Sequence, residues 1–200
     1  YLNLKKFTCL TILSNTEIVV SKQNKLFIYD ISKKSFRLLT VLPRSIIYKL
    51  LNYSPLCSRI FRLGVRYSLL ISKFKLVLVF NRKIFEINLE EGTHKVVFNI
   101  SRGSRPLSIS KVEGINKFDS GLYFGEYFTN TDKKSVNIYR QLSDGIWEIA
   151  YTFPEKKIDH IHSIIPDKFQ NCLWILTGDF NEGSGIWMAT NNFKDVKPVL

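Results

Sequence analysis

The chain has 200 residues, of which 45% are hydrophobic and 14% aromatic, so it has the composition of a folded domain and not of a disordered tail. Its three cysteines, Cys9, Cys57 and Cys172, are far apart and form no Cys-x-x-Cys pair, which argues against a zinc ribbon or a disulfide framework. The longest apolar stretch, residues 67–80, is interrupted by two lysines and is too short to span a bilayer. Because the chain does not begin with methionine and ends within a strand pattern, we expect it to be part of a longer protein. A signal peptide could precede it, and the compartment stays open.

The positive charge lies in the first half of the chain. The net charge is +12; residues 1–100 hold 17 Lys+Arg and 5 Asp+Glu, whereas residues 101–200 hold 12 of each. A basic half can attract an anionic surface such as lipid or polysaccharide. None of the usual nucleic-acid-binding motifs is present, so we do not expect nucleic acid as a partner. We favour the interpretation that these Lys and Arg residues occupy solvated outer positions of strands.

Short β-branched and aromatic runs separated by turn residues predict β-strands along most of the chain. Only residues 45–53, bracketed by prolines, have the pattern of a short helix. Four hairpins are predicted, at residues 26–41, 84–99, 136–152 and 185–200. Each hairpin is preceded by another predicted strand, at residues 17–21, 75–80, 122–127 and 172–177. Before these lie candidate innermost strands at residues 5–13, 65–72, 107–112 and 160–165.

The four hairpins repeat. When their first strands are superposed at Tyr29, Ile87, Tyr139 and Met188, the spacings are 58, 52 and 49 residues. Four strands per unit and a period near fifty residues indicate β-propeller blades, whereas a β-sandwich would not give this constant repeat. We therefore expect an all-β chain that forms one propeller domain over residues 1–200, with units at 5–42, 60–99, 105–153 and 159–200. A ring of six or seven blades would need about 300–350 residues, so we expect the ring to be incomplete.

The turn of the third hairpin, Ser143-Asp144-Gly145-Ile146-Trp147, resembles a shortened Asp-box, the Ser-x-Asp-x-Gly-x-x-Trp hairpin of sialidase-like (BNR) propellers. Thr190-x-Asn192, followed by Phe193, is a weaker echo in the next unit. The resemblance covers residues 107–200 and implies a propeller in which Trp147 packs between sheets. Asp-boxes are structural elements on the periphery, so the resemblance supports the fold and says little about activity. The arginine cluster and the Tyr/Glu pair of sialidases have no counterpart here, which favours a degenerate, non-enzymatic member.

A candidate site follows from strand polarity. Gly125-Glu126 and Gly178-Asp179 end two corresponding strands 53 residues apart. Adjacent antiparallel strands bring such an end beside the start of an innermost strand. Period-2 alternation places His160 and His162 on one side of their strand. We expect five side chains to gather at one mouth of the channel: Arg105, Glu126, His160, His162 and Asp179.

These residue types allow several functions. His160, His162 and Asp179 could bind a divalent transition metal, could transfer protons, or could be ordinary packing and turn residues. The sequence lacks the common nucleotide-binding, zinc-protease and serine-hydrolase motifs, and no catalytic residue is assigned. We therefore expect a non-enzymatic propeller that binds a carbohydrate or protein partner. The alternative is a glycan-active hydrolase or lyase using the His/carboxylate site, and a scaffold docked through its basic half is a third hypothesis.

Overall fold

The computed structural model describes residues 7–44, 63–142, 145–179 and 183–200. In these ranges the chain forms sixteen β-strands arranged as four antiparallel four-stranded sheets. None of the described residues forms a helix with the length and hydropathy of a membrane span. The helix expected over residues 45–53 and the cysteine Cys57 lie outside the described ranges. The chain divides into two compact units, residues 1–99 and residues 100–200.

Unit 1 contains two of the sheets. The first has the order β1 (Thr8–Ile12), β2 (Glu17–Lys22), β3 (Lys25–Asp30) and β4 (Ser35–Val41). The second has the order β5 (Tyr67–Ser72), β6 (Lys75–Phe80), β7 (Lys83–Asn88) and β8 (His94–Asn99). Both sheets contribute to one apolar core, which includes Val19, Leu26, Leu76, Leu78 and Phe85.

Equivalent turns in the two sheets of unit 1 are closed in the same way. Asp30 ends β3, and its Oδ1 accepts hydrogen bonds from the Ser32 hydroxyl at 2.6 Å and the Lys33 amide at 2.9 Å. Asn88 ends β7, and its Oδ1 accepts the amides of Glu90 at 3.0 Å and Glu91 at 3.1 Å. Asp and Asn are favoured in turns because their side chains bond the backbone two or three residues later. The two hairpins of unit 1 therefore share one way of closing their turns.

Unit 2 contains the other two sheets. The third has the order β12 (Trp147–Phe153), β11 (Val136–Gln141), β10 (Gly121–Gly125) and β9 (Ser110–Val112). The fourth has the order β13 (Ile161–Asp167), β14 (Cys172–Thr177), β15 (Gly185–Thr190) and β16 (Asp195–Pro198). The core between them includes Tyr123, Ile138, Phe153, Ile161 and Ile175. Trp187 of β15 packs edge-on against Phe153 of β12, with ring centroids 5.2 Å apart, so this tryptophan bridges the two sheets.

The all-β prediction and the four hairpins are confirmed. Two second strands, β6 and β14, have the predicted bounds. The third innermost strand is shorter than predicted, because β9 pairs with β10 only through Ser110, Lys111 and Val112. The preceding segment contacts β13 instead, since the Ser108 hydroxyl donates a hydrogen bond to the carbonyl of His162 at 3.2 Å. That the sheets are blades of one propeller domain stays a prediction.

Candidate functional site

Two histidines lie together at the start of the innermost strand of the fourth sheet. His160 directly precedes β13, and His162 is its second residue. Ile161 between them is buried in the core of unit 2, so alternation turns both imidazoles to the opposite side. The two rings are stacked with centroids 5.0 Å apart, and their Nε2 atoms are 3.0 Å apart. His160 is only 8% exposed, whereas His162 is half-buried.

Asp179 completes the cluster from the end of β14. Its Oδ2 lies 3.2 Å from the Nε2 of His160, and its Oδ1 lies 2.9 Å from the Nε2 of His162. Gly178 makes this turn possible, because its φ of +62° is in the left-handed region and a Cβ there would collide with the carbonyl of Gly183. The Gly178 amide donates to the carbonyl of His160 at 2.9 Å, which joins the end of β14 to the start of β13.

The cluster His160, His162 and Asp179 has the donor set of a transition-metal site. One ligand atom from each residue can be chosen so that all three lie within 4.8 Å of one another. Within the described residues it is the one group of three or more His, Cys, Asp or Glu side chains with this property. Two imidazoles and a carboxylate suit zinc, iron or another divalent transition ion better than calcium or magnesium.

A pocket of about 360 Å³ adjoins the cluster. Tyr127 forms one wall, with its ring centroid 4.5 Å from that of His160 and 5.8 Å from that of His162. Asn130 fixes the opposite backbone, since its side-chain amide donates to the carbonyls of Lys134 at 2.9 Å and Asp159 at 2.8 Å. The complete lining consists of Tyr127, Phe128, Thr129, Asn130, Thr131, Asp159, His160 and Asp179.

The side chain of Glu126 is engaged elsewhere and does not join the cluster. Its carboxylate accepts a two-point hydrogen bond from the guanidinium of Arg102, with Nε to Oε1 at 2.9 Å. The Asn137 amide donates to it at 2.8 Å, and the Tyr139 hydroxyl at 3.4 Å. Burial is the main cause that raises the pKa of Tyr139, and the negative charge of Glu126 raises it further. A carboxylate with this many donors is a structural anchor of the third sheet.

The two glycines that suggested an equivalence between Glu126 and Asp179 serve different purposes. A Cβ on Gly125 would overlap the side chain of Ile161, so Gly125 permits close packing of β10 against β13. The chain then continues in the sheet, because the Glu126 amide donates to the Asn137 carbonyl at 3.0 Å. At Gly178 the chain instead turns through a left-handed conformation. The carboxylates after the two glycines therefore point to different surroundings.

Arg105 is half-buried in the segment before β9. In the part of unit 2 that the structure describes, no hydrogen bond or ion pair joins its guanidinium to His160, His162 or Asp179. The arginine that does contact one of the five predicted residues is Arg102. Its loop position has no strand periodicity, which is why the sequence did not single it out.

The Asp-box prediction is only partly accessible, because Ser143 and Asp144 lie outside the described residues. Trp147 packs on Phe124 of its own sheet, with ring centroids 5.0 Å apart. In the weaker match to this motif, Thr190-x-Asn192, the Asn192 side chain bonds residues outside its own turn. Its side-chain amide donates to Asp119 at 2.9 Å, and its oxygen accepts from Arg140 at 3.2 Å.

Six of the eight residues that line the pocket were missed by sequence reasoning, among them Tyr127, Asn130 and Asp159. Asp159 directly precedes His160, so its place at the same strand entry could have been inferred from position alone. Tyr127 follows Glu126 and therefore points to the other side of the extended chain, which alternation could also have predicted. Asn130 lies in an irregular segment, and nothing in its local sequence indicates its role.

Comparison with known proteins gives structural neighbours only. No protein-family model matches the chain. A search of curated proteins found no match. Two crystal structures of the extracellular domain of BT4673 from B. thetaiotaomicron, named in one case as a one component system and in the other as a hybrid two component system, resemble it. Their sequence identities are 16% and 17% and their TM-scores 0.57 and 0.58, with 95% of this chain and 21% of the other chain covered.

A structure of the nidogen/laminin complex is also similar, with 8% identity, a TM-score of 0.53 and coverage of 98% of this chain and 61% of the other. The chain thus spans about a fifth of the BT4673 chains, 21% in each case. At these identities the comparison shows the fold alone. None of the three structures is named as a sialidase.

Proposed function

We propose that unit 2 is a carbohydrate-binding module whose ligand occupies the pocket beside His160 and Asp179. The observation that carries the proposal is the pocket itself, about 360 Å³ in volume and lined by aromatic, hydroxyl, amide and carboxylate groups. Small-molecule sites are typically concave and measure ~300–1,000 Å³, with a few placed polar groups that orient the ligand. A cavity at the lower end of that range suits one or two sugar rings.

The groups that face the pocket match the chemistry of a sugar. Thr129 and Thr131 are exposed, so their hydroxyl groups are available to the hydroxyl groups of a ligand. The half-buried ring of Tyr127 offers an apolar face against which a sugar ring can pack.

The proposal extends to the architecture. In this proposal the four sheets are blades of a sialidase-like propeller, with the pocket at one mouth of its channel. The fifty-residue repeat and the shared hairpin offset support this arrangement. The structural neighbours of low sequence identity agree with an all-β fold. The closed ring of blades is part of the proposal.

Ligand binding is tested by titrating the full chain with neutral hexoses, N-acetylhexosamines, uronic acids and sialic acid, followed by ligand-detected NMR. We expect saturable binding of at least one class and its loss in Tyr127→Ala. Phe169→Ala is the matched control, because Phe169 is a fully exposed aromatic residue of the same unit. Absence of saturable binding by every class, or equal binding by the two variants, would refute the proposal.

A second candidate function is favoured by the His160, His162 and Asp179 cluster. Titratable groups at hydrogen-bonding distance beside a pocket can transfer protons or activate a metal-bound water, as a glycan hydrolase or lyase requires. Release of reducing ends or of unsaturated products from a polysaccharide would support this alternative. A protein partner is the remaining possibility. A neighbouring structure is a complex of nidogen with laminin, and a partner protein would cover a wider surface than one pocket.

A further inference from the structure

We infer that His160, His162 and Asp179 bind one divalent transition-metal ion at the wall of the pocket. The inference rests on the proposed function in that the ion borders the same pocket, but ion binding itself needs no sugar. It is drawn from the three donor atoms and the distances between them. The three residues come from two strand ends of one sheet, which the Gly178 amide holds together through its hydrogen bond to the His160 carbonyl.

The distances between donors agree with a shared ion. Two ligand atoms that are each ~2.1 Å from one metal lie about 3.0 Å apart at a right angle and about 3.4 Å apart at the tetrahedral angle. The imidazole Nε2 atoms are 3.0 Å apart, and Asp179 presents a different oxygen to each of them: Oδ2 lies 3.2 Å from Nε2 of His160 and Oδ1 lies 2.9 Å from Nε2 of His162. All three therefore fall within or close to the range that octahedral or tetrahedral coordination requires.

An ion also explains the orientation of the two imidazoles. If each Nε2 carried a proton toward its own oxygen of Asp179, the two N–H groups would also face each other at 3.0 Å, where neither nitrogen has a free lone pair to accept. A cation placed among the two Nε2 atoms and the carboxylate interacts with all three at once. The Nδ1 of His160 is buried and has no hydrogen-bond partner within the described residues, so Nε2 carries the polar contacts of this side chain.

The donor set determines which ions are expected. Two imidazole nitrogens and one carboxylate occur in catalytic zinc sites and in non-haem iron sites, which keep open positions for water or a ligand. His160 and Asp179 line the pocket, so the open positions would face it. A ligand hydroxyl or carboxylate could then complete the coordination, which makes the ion part of the recognition of the ligand.

The experiment measures uptake of Zn²⁺ by the full chain after treatment with a chelator, using isothermal titration and metal analysis. We expect one ion per chain and an affinity at least ~100-fold lower in His162→Ala and in Asp179→Asn, since even outer partners of metal ligands contribute 10–100-fold. The matched control is His94→Ala. His94 is the third histidine of the chain, lies in unit 1 and is hydrogen-bonded to Thr40 at 2.9 Å.

A second measurement separates loss of the site from loss of the fold. Far-UV circular dichroism and tryptophan fluorescence establish whether each variant is folded. His162→Ala is preferred to His160→Ala because His162 is the less buried of the two. Substitution with Co²⁺ provides a visible spectrum of the wild-type site that should disappear in the folded His162→Ala and Asp179→Asn proteins. Equal uptake by the folded variants and the wild type, or no saturable uptake at all, overturns the inference.

The sugar titrations distinguish this inference from the proposed function. Saturable Zn²⁺ uptake without binding of any sugar supports the metal site and refutes the carbohydrate proposal. Sugar binding that persists in excess chelator, together with no uptake of Zn²⁺, overturns the metal site and leaves the carbohydrate proposal standing. Sugar binding that requires the ion supports both.

Discussion

At Asp30 a single carboxylate closes a turn, and its titration should be visible in stability. The hydrogen bond from Ser32, followed by that from the Lys33 amide, lowers the pKa of Asp30 from its ordinary 3.8 to about 2. A depressed pKa in the folded state means that the ionised form contributes stability above about pH 4. This contribution is lost as the pH falls toward 2.

We expect Asp30→Asn to keep the turn, because Asn88 closes the equivalent turn of the next sheet with the same oxygen. The variant should therefore be less stable than the wild type at pH 6, and the difference should shrink as the pH falls from 4 to 2. Urea unfolding followed by circular dichroism at each pH measures this. A difference in stability that is independent of pH would show that the charge of Asp30 makes no contribution.

Side-chain alternation carried much of the site prediction. It placed His160 and His162 on the same side because Ile161 had to enter the core, and the match of Gly178-Asp179 with another strand end indicated the third partner. The same match failed for Glu126, whose carboxylate is bound by Arg102 from an irregular loop. A contact made by a loop residue depends on the path of the backbone, which sequence periodicity does not determine.

Trp187 is the clearest test of packing between elements. It lies on β15 and packs against Phe153 of β12, so it joins two sheets of unit 2. Truncation of a buried Trp costs ~3–5 kcal/mol, and the partial exposure of Trp187 places Trp187→Ala near ~3 kcal/mol. Chemical denaturation followed by circular dichroism provides the measurement. The control is Ile165→Ala on β13, which is 45% exposed and should change the free energy of unfolding by less than ~0.5 kcal/mol.

A double-mutant cycle shows whether the two sheets are coupled through this contact. Residues in contact typically show interaction energies of ~0.5–3 kcal/mol, and we expect Trp187→Ala and Phe153→Ala to fall within that range. If the effects of the two substitutions are simply additive, the ring contact does not couple the sheets.

The strands were predictable because each carries a repeated local signal. Alternating β-branched and aromatic residues, followed by a turn with Asp, Asn or Gly, recur in every hairpin. The innermost strand of the third sheet was predicted too long, because only Ser110, Lys111 and Val112 pair with β10. The hydroxyl of Ser108 instead donates to the His162 carbonyl of β13, and such a contact depends on tertiary packing.

At the scale of the whole chain, charge and candidate site belong to different units. The excess positive charge lies in residues 1–100, whereas the histidine cluster and the pocket lie in residues 101–200, where Lys+Arg and Asp+Glu are equal at 12 each. The uneven distribution of charge could be predicted from the sequence alone, because counting charged residues needs no knowledge of the fold. The excess charge and the pocket are therefore properties of different units.

The distribution of tryptophan makes unit 2 observable within the intact chain. All three tryptophans, Trp147, Trp174 and Trp187, lie after residue 100, so their fluorescence reports the unit that carries the metal cluster. A ligand that binds only the folded state stabilises it by about 2.7 kcal/mol when present at 100 times its dissociation constant. We therefore expect Zn²⁺ at that excess to shift the fluorescence-detected urea unfolding of the wild type and of His94→Ala by this amount. The same addition should shift His162→Ala by no more than about 0.4 kcal/mol, because an affinity ~100-fold lower leaves the ion near its dissociation constant. An equal shift in His162→Ala would place the ion elsewhere on the chain and remove the cluster as its binding site.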